Sequence, residues 1–477
     1  MSLGDIDKAA QAASSDAGLQ GETGNLAQTC PKTVLEVGVF FDGTLNNLYN
    51  VEDGSREDGS YQASKSNPAL LYELYKDRRD YDEENACGGI ARAFRSTYVE
   101  GPGSTAGAAD DGTGYALGMG ETGVAARVSR GFSEVLRFVN LMGGAPYLSE
   151  VKLDVFGFSR GAAAARYFVN CIRDGQMSLD VGRGQRIPLL KWPEDLKVSI
   201  RFLGIFDTVA AIGLATNDDN GEVNVHLKTA QATNRIYHLT AGDEYRKNFR
   251  LNKNTPGGGD TFELPGAHSD VGGGYAGSGD VAPLEDEETR FFYDKNKAEA
   301  ARAAAQNADL APGANAEREA QFIKEGWMTG DEREGGVMRT FSDITERTVT
   351  VQYGLKSFTR KTYTYQEQVA LNRPWVQLGL SRVALHMMYE AAVAEVDGAF
   401  IELPPENEEY QIPQGLSAYE HAIRGGSLSG AARSEVLRNY GHVSMKDGGV
   451  FSSDYWGHEA EPNHMRVEYD NVPGKAI

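Results

Sequence analysis

The chain alternates short apolar runs with segments of helical periodicity over its first 280 residues. The apolar runs are rich in β-branched and aromatic residues, and they predict buried strands at 34–41, 151–156, 198–206 and 261–264. Apolar residues three and four positions apart predict helices near 68–78, 88–97, 122–141 and 162–172. Strands that alternate with helices indicate an α/β fold, with a mostly parallel sheet and helices on both of its faces.

The pattern changes after residue 280. Residues 283–335 are charged and rich in alanine, which predicts exposed helices, and residues 347–366 alternate Thr, Val and Tyr as a hairpin does. Apolar helical periodicity returns over 376–393 and predicts a helix that packs back on the sheet. The chain is therefore expected to consist of a flexible leader, a core, an inserted cap-like region, a core-closing helix and a C-terminal extension. Their ranges are 1–30, 31–280, 281–375, 376–400 and 401–477.

Composition and charge exclude several classes of protein. The 477 residues include 47 basic and 68 acidic side chains, and the net charge of −21 is unsuited to general binding of nucleic acid. No apolar run reaches the roughly 18–20 residues of a membrane-spanning helix. The N-terminus lacks the basic and apolar regions of a secretory signal. Three cysteines, Cys30, Cys87 and Cys171, fit neither a disulfide framework nor a metal cluster, and they are expected to be free thiols.

The sequence from Gly157 to Gly161, Gly-Phe-Ser-Arg-Gly, matches the G-x-S-x-G pattern of a nucleophile elbow. In such an elbow the serine, here Ser159, sits on a strained turn and projects its hydroxyl above the sheet. The flanking glycines let strand and helix approach closely, and the backbone N–H of Arg160 can face an oxyanion. A predicted strand before the pentapeptide and a small-residue helix after it favour a catalytic elbow over an ordinary turn.

A serine nucleophile needs a base, and the base needs a carboxylate to orient it. Among the eight histidines, His268 alone follows a predicted strand and begins a glycine-rich loop, so we predict it as the base. Asp207 ends a buried strand and is the preferred acid, with Asp270 as the alternative. The order Ser159, Asp207, His268 is that of α/β-hydrolase triads. A hydrogen-bonded loop histidine and a helix-capping aspartate are the structural alternatives to these roles.

The turn after the first predicted strand, Asp42-Gly43-Thr44, allows two interpretations. Phosphate-transferring enzymes of the haloacid-dehalogenase type use D-x-D-G-T at this place, but Phe40 occupies the position of their nucleophilic aspartate. The loop can instead supply a second oxyanion N–H, for which Thr44 is the candidate. A plain strand-ending turn is equally compatible with the sequence.

Four blocks of the sequence together resemble one protein family. They are Phe41–Thr44 (FDGT), Gly157–Ala162 (GFSRGA), Phe206–Val209 (FDTV) and Gly266–Tyr275 (GAHSDVGGGY). The family is the α/β-hydrolase-like one that includes phospholipase effectors of bacterial type VI secretion systems. The resemblance covers about residues 33–280 and implies a serine esterase that cleaves acyl chains from glycerophospholipids. It implies Ser159, Asp207 and His268 as the triad, with neither a cofactor nor a metal.

The resemblance also implies where the protein acts. It implies synthesis in the bacterial cytoplasm without a signal peptide, and delivery by type VI secretion to the periplasm or membrane of a target cell. The expected partners are a phospholipid membrane as substrate, a secretion-spike protein and an immunity protein, and no nucleic acid. The inserted region 281–375 is expected to touch the bilayer, although the net charge of −21 opposes contact with anionic lipid.

Two other functions are compatible with the same fold. In the first, the triad hydrolyses another acyl ester, and the inserted region determines the substrate. In the second, the triad is inactive and the added regions bind a partner. Reaction of Ser159 with a fluorophosphonate probe distinguishes the inactive module from either enzyme.

Overall fold

The computed structural model describes most of the chain. The described residues are 31–56, 59–77, 79–85, 87–111, 120–180, 186–210, 233–284, 288–307, 316–330, 336–353, 356–445 and 460–471. The leader predicted over 1–30 lies outside them.

The elements of these residues are numbered in chain order. The strands are β1 (Thr33–Phe41), β2 (Glu83–Glu84), β3 (Ile90–Val99), β4 (Leu148–Phe158), β5 (Gln176–Asp180), β6 (Arg186–Lys191), β7 (Val198–Phe206), β8 (Arg235–Ala241), β9 (Leu251–Asn252), β10 (Asp260–Leu264), β11 (Asp280–Pro283), β12 (Glu288–Phe292), β13 (Gly336–Phe341), β14 (Thr345–Tyr353), β15 (Lys356–Arg373) and β16 (Glu468–Tyr469). The α-helices are α1 (Leu48–Asp53), α2 (Gly59–Gln62), α3 (Asn67–Leu74), α4 (Val124–Leu141), α5 (Arg160–Arg173), α6 (His268–Gly272), α7 (Lys295–Asn307), α8 (Ala316–Glu325), α9 (Leu380–Glu395), α10 (Gln414–Ser417), α11 (Glu420–Arg424) and α12 (Gly430–Tyr440).

A central sheet of seven strands has the order β10-β8-β7-β4-β1-β3-β2. All of its neighbouring strands are parallel except β2, which runs antiparallel to β3. This confirms the predicted mostly parallel sheet. The strands predicted at 34–41, 151–156 and 198–206 are β1, β4 and β7, and the one predicted at 261–264 is the edge strand β10.

Helices cover both faces of this sheet, as predicted. Helices α4 and α5 pack on one face and α3 and α9 on the other. Because side chains alternate between faces along a strand, Val37 and Val39 of β1 join the first core whereas Phe40 joins the second. A strand buried on both faces needs apolar residues at nearly every position, which is why β1 reads as a continuous apolar run.

Two elements of the sheet differ from the predictions. The segment predicted as a helix near 88–97 is the strand β3, and the strand β8 had no counterpart in the sequence-based prediction. Ala93 and Phe94 lie on opposite faces of β3, and both are fully buried. Burial on both faces therefore overrides the helical preference of the Ala and Arg residues in this segment.

A second, antiparallel sheet forms the inserted region. Its long strand β15 pairs with β11, β12, β13 and β14. The hairpin predicted over 347–366 is the β14–β15 pair. Helices α7 and α8 account for part of the predicted exposed helices, but Glu288–Phe292 is a strand, so that part of the prediction was wrong.

The inserted sheet is held to the rest of the protein by the fully buried Arg373. Its guanidinium donates to Asp280 Oδ2 at 2.5 Å and to the backbone oxygens of Trp327, Leu437 and Gly441. Leu437 belongs to α12 of the C-terminal extension. One buried cation therefore ties the inserted sheet to the extension.

The helix predicted over 376–393 is α9, which packs against α3, α6, β7 and β8. Within the described ranges, no helix is long and apolar enough to cross a membrane. Cys171 is a buried thiol outside any disulfide, as predicted, but Cys87 is disulfide-bonded, contrary to the prediction. Cysteine spacing along the sequence does not reveal which thiols the fold brings together.

A buried ionic network crosses the centre of the sheet. Arg201 of β7 donates to Asp154 of β4 at 2.5 and 3.0 Å and to Glu36 of β1 at 2.6 Å. Asp154 also accepts from Tyr75 Oη, and Glu36 accepts from Arg92. Burial raises the pKa of Asp154, and the Arg201 guanidinium is the charge that opposes this rise.

We expect Arg201→Met to destabilise the fold by roughly 3–5 kcal/mol at neutral pH, because it leaves Asp154 charged and buried without a cation. The variant raises the folded-state pKa of Asp154 further above its unfolded value, so the folded state binds more protons and the deficit shrinks as pH falls. Urea unfolding at about pH 8 and about pH 5 measures both effects. Lys197→Gln, which removes an exposed ion pair with Glu150, is the control and should cost less than about 0.5 kcal/mol. Equal deficits for the two variants would contradict the prediction.

Candidate active site

The carboxyl ends of the parallel strands meet at one edge of the sheet, and the predicted site residues lie at this edge. Phe41 of β1 is paired with Gly157 of β4, and Phe158 is paired with Phe206 of β7. Asp42, Ser159 and Asp207 each follow directly after these strands. This register brings residues far apart in the sequence to neighbouring positions, as expected for an α/β sheet.

Ser159 occupies a strained turn between β4 and α5. Its backbone has φ 57° and ψ −125°, and its N–H donates to Phe206 O at 3.0 Å. A Cβ atom on Gly161 would lie 2.2 Å from Asp42 O, and one on Gly157 would lie 2.4 Å from Gly161 O. Only glycine fits at both positions, and a positive φ in a non-glycine residue stores strain. The pentapeptide therefore has the geometry of a nucleophile elbow.

Asp207 and His268 form a buried pair beside this elbow. His268 Nδ1 donates to Asp207 Oδ2 at 2.5 Å, and Asp207 Oδ1 accepts the N–H of Ala241 at 3.0 Å. The imidazole packs against the rings of Phe158 and Phe249, with centroids 4.6 and 4.9 Å away. These rings exclude water and fix the orientation of the imidazole.

The protonation state of His268 suits a general base. Burial lowers the pKa of His268, although the carboxylate of Asp207 opposes this, so the imidazole is neutral at neutral pH. The carboxylate of Asp207 can only accept a hydrogen bond, so the single proton of the neutral ring resides on Nδ1 and Nε2 carries the lone pair. Nε2 is buried and has no hydrogen-bond partner among the described residues. It is thus available to accept a proton from a hydroxyl.

The carboxylate of Asp207 has a second cationic partner, Arg466, which comes from the C-terminal extension. Arg466 Nη1 donates to Asp207 Oδ1 at 2.7 Å, and Nη2 donates to Asp207 Oδ2 at 2.8 Å. Burial alone would raise the pKa of Asp207, but Arg466 and His268 outweigh it and hold that pKa well below its usual range. Asp207 is therefore ionised at neutral pH. No motif in the sequence pointed to Arg466.

Asp270, the alternative acid, pairs with a different histidine. Its Oδ1 bonds His442 Nδ1 at 2.8 Å, and its Oδ2 accepts the N–H groups of Ala267 and His442. His442 stacks on Tyr275, with a centroid distance of 4.0 Å. The geometry therefore assigns the orientation of His268 to Asp207 and leaves Asp270 as a link between α6 and the C-terminal extension.

The loop after β1 is organised by the buried carboxylate of Asp42. Oδ1 accepts from Ser66 Oγ at 2.5 Å and from Gly43 N at 2.7 Å, and Oδ2 accepts from Tyr98 Oη at 2.5 Å. Burial raises the pKa of Asp42 to about 6 against these three donors. Asp42 is thus a structural anchor of the loop, and none of its contacts resembles a phosphotransfer site.

Thr44 lies beside the elbow. Its Oγ1 accepts from Arg160 Nε at 2.6 Å. The neighbouring N–H groups of Gly43, Leu45 and Asn46 all have acceptors, whereas no described residue accepts the N–H of Thr44. Arg160 begins α5, and the amides of a first helical turn have no acceptor within their helix. The contact between Thr44 and Arg160 brings the loop after β1 next to the residue that follows Ser159, and the two oxyanion donors expected from the sequence remain a prediction.

The arrangement combines the components of acyl transfer through a serine. A hydroxyl on a strained turn, a neutral imidazole, an ionised carboxylate and two amides converge at one sheet edge. The described part of the chain holds no group of three or more His, Cys, Asp or Glu residues arranged to bind a metal.

A comparison with protein-family models finds a match over part of the chain. Residues 185–333, about a third of the chain, match the family model described as T6SS, Phospholipase effector Tle1-like, catalytic domain. That segment contains Asp207 and His268 but not Ser159. For this segment, the match confirms the resemblance to type VI secretion phospholipase effectors inferred from the sequence. No curated protein matches the chain significantly.

Two solved structures are similar to the chain, and the first of them supports the fold. The structure of the Tle1 effector bound to the VgrG spike of the type 6 secretion system is 21% identical, with a TM-score of 0.55, and the match covers 94% of this chain and 98% of that one. A crystal structure of an uncharacterized protein from Pseudomonas aeruginosa is 18% identical, with a TM-score of 0.40, and covers 85% of this chain and 52% of that one. The chain is thus similar over nearly its whole length to the fold of the Tle1 effector.

Proposed function

We propose that the protein is a serine lipolytic hydrolase that cleaves acyl esters of glycerophospholipids and acts as an antibacterial type VI secretion effector. The observation that carries this proposal is the buried Asp207–His268 pair, whose unpartnered Nε2 lies at the sheet edge that bears the strained Ser159. The family model matched by residues 185–333 supports phospholipids as the substrate class.

The proposed reaction begins with acyl transfer to Ser159. His268 Nε2 takes the proton of Ser159 Oγ as the oxygen attacks the ester carbonyl carbon. The N–H groups of Arg160 and Thr44 stabilise the oxyanion, and Asp207 stabilises the imidazolium. The imidazolium then protonates the leaving alkoxide, which departs as the lysophospholipid.

Water completes the cycle. His268 Nε2 removes a proton from a water molecule, whose oxygen attacks the acyl-Ser159 carbonyl. The second tetrahedral intermediate collapses, Ser159 recovers its proton from His268, and the fatty acid leaves. At neutral pH His268 acts as the base and Asp207 stays ionised. Burial lowers the pKa of His268, and Arg466 helps to lower the pKa of Asp207.

The inserted sheet supports contact with a bilayer. The cross-strand pairing places Phe291, Val349, Phe358 and Arg360 on one face of β12, β14 and β15. Phe291 and Phe358 are 73% and 60% exposed, and the guanidinium of Arg360 lies 3.7 Å from the ring centroid of Tyr293. Exposed aromatic rings beside an arginine suit the interface of a membrane. These apolar side chains favour contact with a bilayer despite the net charge of −21.

Delivery is part of the proposal. The matched Tle1 effector is bound to a VgrG spike, and this supports loading of the present protein onto a secretion spike. An effector that attacks membrane lipids requires an immunity protein in the producing cell. We place its action at the periplasmic side of a target cell, where the bilayer is accessible to a delivered protein.

We expect Ser159→Ala to lower hydrolysis of phosphatidylethanolamine by at least about 10³-fold, because the nucleophile is lost while the oxyanion donors remain. The measurement uses lipid with a different fluorescent label on each acyl chain, which also assigns the cleaved position. Fluorophosphonate labelling should likewise disappear. Ser55→Ala, at an exposed serine, is the control and should behave as wild type.

Three other results would revise the proposal. An active Ser159→Ala variant would contradict the serine mechanism. Cleavage of simple esters without release of either lipid label would replace the phospholipid by another acyl ester. A folded wild-type protein that cleaves no ester and does not react with the fluorophosphonate would support the partner-binding module.

We expect Phe358→Asp to weaken sedimentation with vesicles of phosphatidylethanolamine and phosphatidylglycerol by about tenfold, because it removes an aromatic contact and adds a negative charge. Hydrolysis of a soluble short-chain ester should stay unchanged. Thr359→Asp introduces the same charge on the opposite face of β15 and is the matched control. Equal loss of vesicle binding in both variants would assign the effect to net charge alone and contradict a role for this face.

A further inference from the structure

We infer that Arg466, in the C-terminal segment 460–471, is a positioning residue for the acid of the triad, so that docking of this segment completes the active site. This inference rests on the proposed function, since it concerns the same serine site. It assigns a role in the reaction to the C-terminal extension, which carries none of the motifs found in the sequence.

Arg466 is firmly held at this position. Its side chain is 9% exposed, and besides the two bonds to Asp207 it donates from Nε to Phe249 O at 2.7 Å and from Nη1 to Ala241 O at 3.2 Å. Asp207 is fully buried. A planar guanidinium bonded to both carboxylate oxygens fixes the plane of that carboxylate. Asp207 Oδ2, which receives the proton of His268 Nδ1, is thereby oriented by Arg466.

The C-terminal segment has further anchors near the site. Strand β16 pairs in parallel with β9, beside the loop that carries Phe249. Asn471 Oδ1 accepts from Arg166 of α5, the helix that follows Ser159, at 2.9 Å. The segment therefore contacts both the helix of the nucleophile and the acid. Its displacement would remove Arg466 from Asp207 and leave a buried carboxylate whose remaining partners are His268 and the N–H of Ala241.

The charge of Arg466 sets the basicity of His268 through Asp207. With Arg466 in place, the carboxylate is partly neutralised and stabilises the imidazolium less than an isolated carboxylate would. Removal of the guanidinium exposes His268 to the full negative charge, so the pKa of His268 rises. At a given pH below the new pKa, a smaller fraction of His268 is then neutral. The acid limb of the pH–rate profile therefore moves to higher pH.

The test compares Arg466→Gln and Arg466→Lys with wild type. Glutamine removes the charge, and lysine keeps the charge but loses the two parallel bonds. For Arg466→Gln we expect the acid limb of kcat/KM on a soluble ester to move up by about one pH unit. For Arg466→Lys we expect this limb to stay in place while kcat falls about 10- to 100-fold with little change in KM, because the carboxylate is less well oriented.

The control is Lys253→Gln, which removes the two ion pairs that Lys253, the residue after β9, forms with Glu468 and Asp470 and does not touch Asp207. If Arg466 had a purely structural role, all three variants would show the same pH profile. Their activity would then fall only in proportion to the fraction of protein molecules that fluorophosphonate titration finds to have an intact active site. That result would overturn the inference.

Titration of the imidazole by NMR distinguishes this failure from failure of the proposed function. The signal of His268 is assigned by its absence in His268→Gln. If the wild type cleaves no ester and its serine is unreactive, the proposed function fails. The pKa of His268 is still expected to rise in Arg466→Gln and to remain near the wild-type value in Arg466→Lys. An unchanged pKa in Arg466→Gln overturns the inference whatever the activity.

Discussion

The segments around Ser159 approach one another so closely that backbone meets backbone, and the other parts of the site depend on this contact. A Cβ atom on Gly161 would lie 2.2 Å from Asp42 O, and one on Gly101 would lie 1.6 Å from Gly43 O. The elbow, the loop after β1 and the turn after β3 therefore form one closely packed unit. Because Ser159 and the amides of Arg160 and Thr44 belong to this unit, their separation is determined by backbone packing and does not depend on flexible side chains.

Buried charge connects the distant parts of the molecule. The acidic chain buries carboxylates such as Asp154, Asp207 and Asp280, and each is stable in the interior only beside a cation. The cations come from other segments: Arg201 crosses the sheet, Arg466 reaches Asp207 from the C-terminal segment, and Arg373 pairs with Asp280 within the inserted sheet while it also bonds the backbone of the C-terminal extension. The requirement to pair these carboxylates therefore helps to dock the added regions on the core. At Asp207 the same pairing also sets the protonation state needed for catalysis in the proposed reaction.

Most of the sheet could be predicted because strands buried on both faces are rich in apolar residues, as in β1, β4 and β7, even though each of them also carries a charged residue of the buried ionic network. The prediction failed at β3, whose Ala and Arg residues have a helical preference that burial between β1 and β2 overrides. It also missed β8, where the polar residues His238 and Thr240, both buried in the fold, interrupt the apolar run. The positions of Ser159, Asp207 and His268 could be predicted because each follows a strand, and carboxyl ends of parallel strands share an edge.

The sequence by itself determined the local features of this protein: the elbow between Gly157 and Gly161, the order of the three site residues and the apolar strands that carry them. Only the tertiary structure decided which carboxylate orients His268, because Asp207 and Asp270 are both within reach of a histidine and the fold gives Asp270 to His442. It also decided that Arg466 bonds Asp207 from 259 residues away. Local patterns report propensity and burial within an element, whereas an ion pair between distant segments depends on how the whole chain packs.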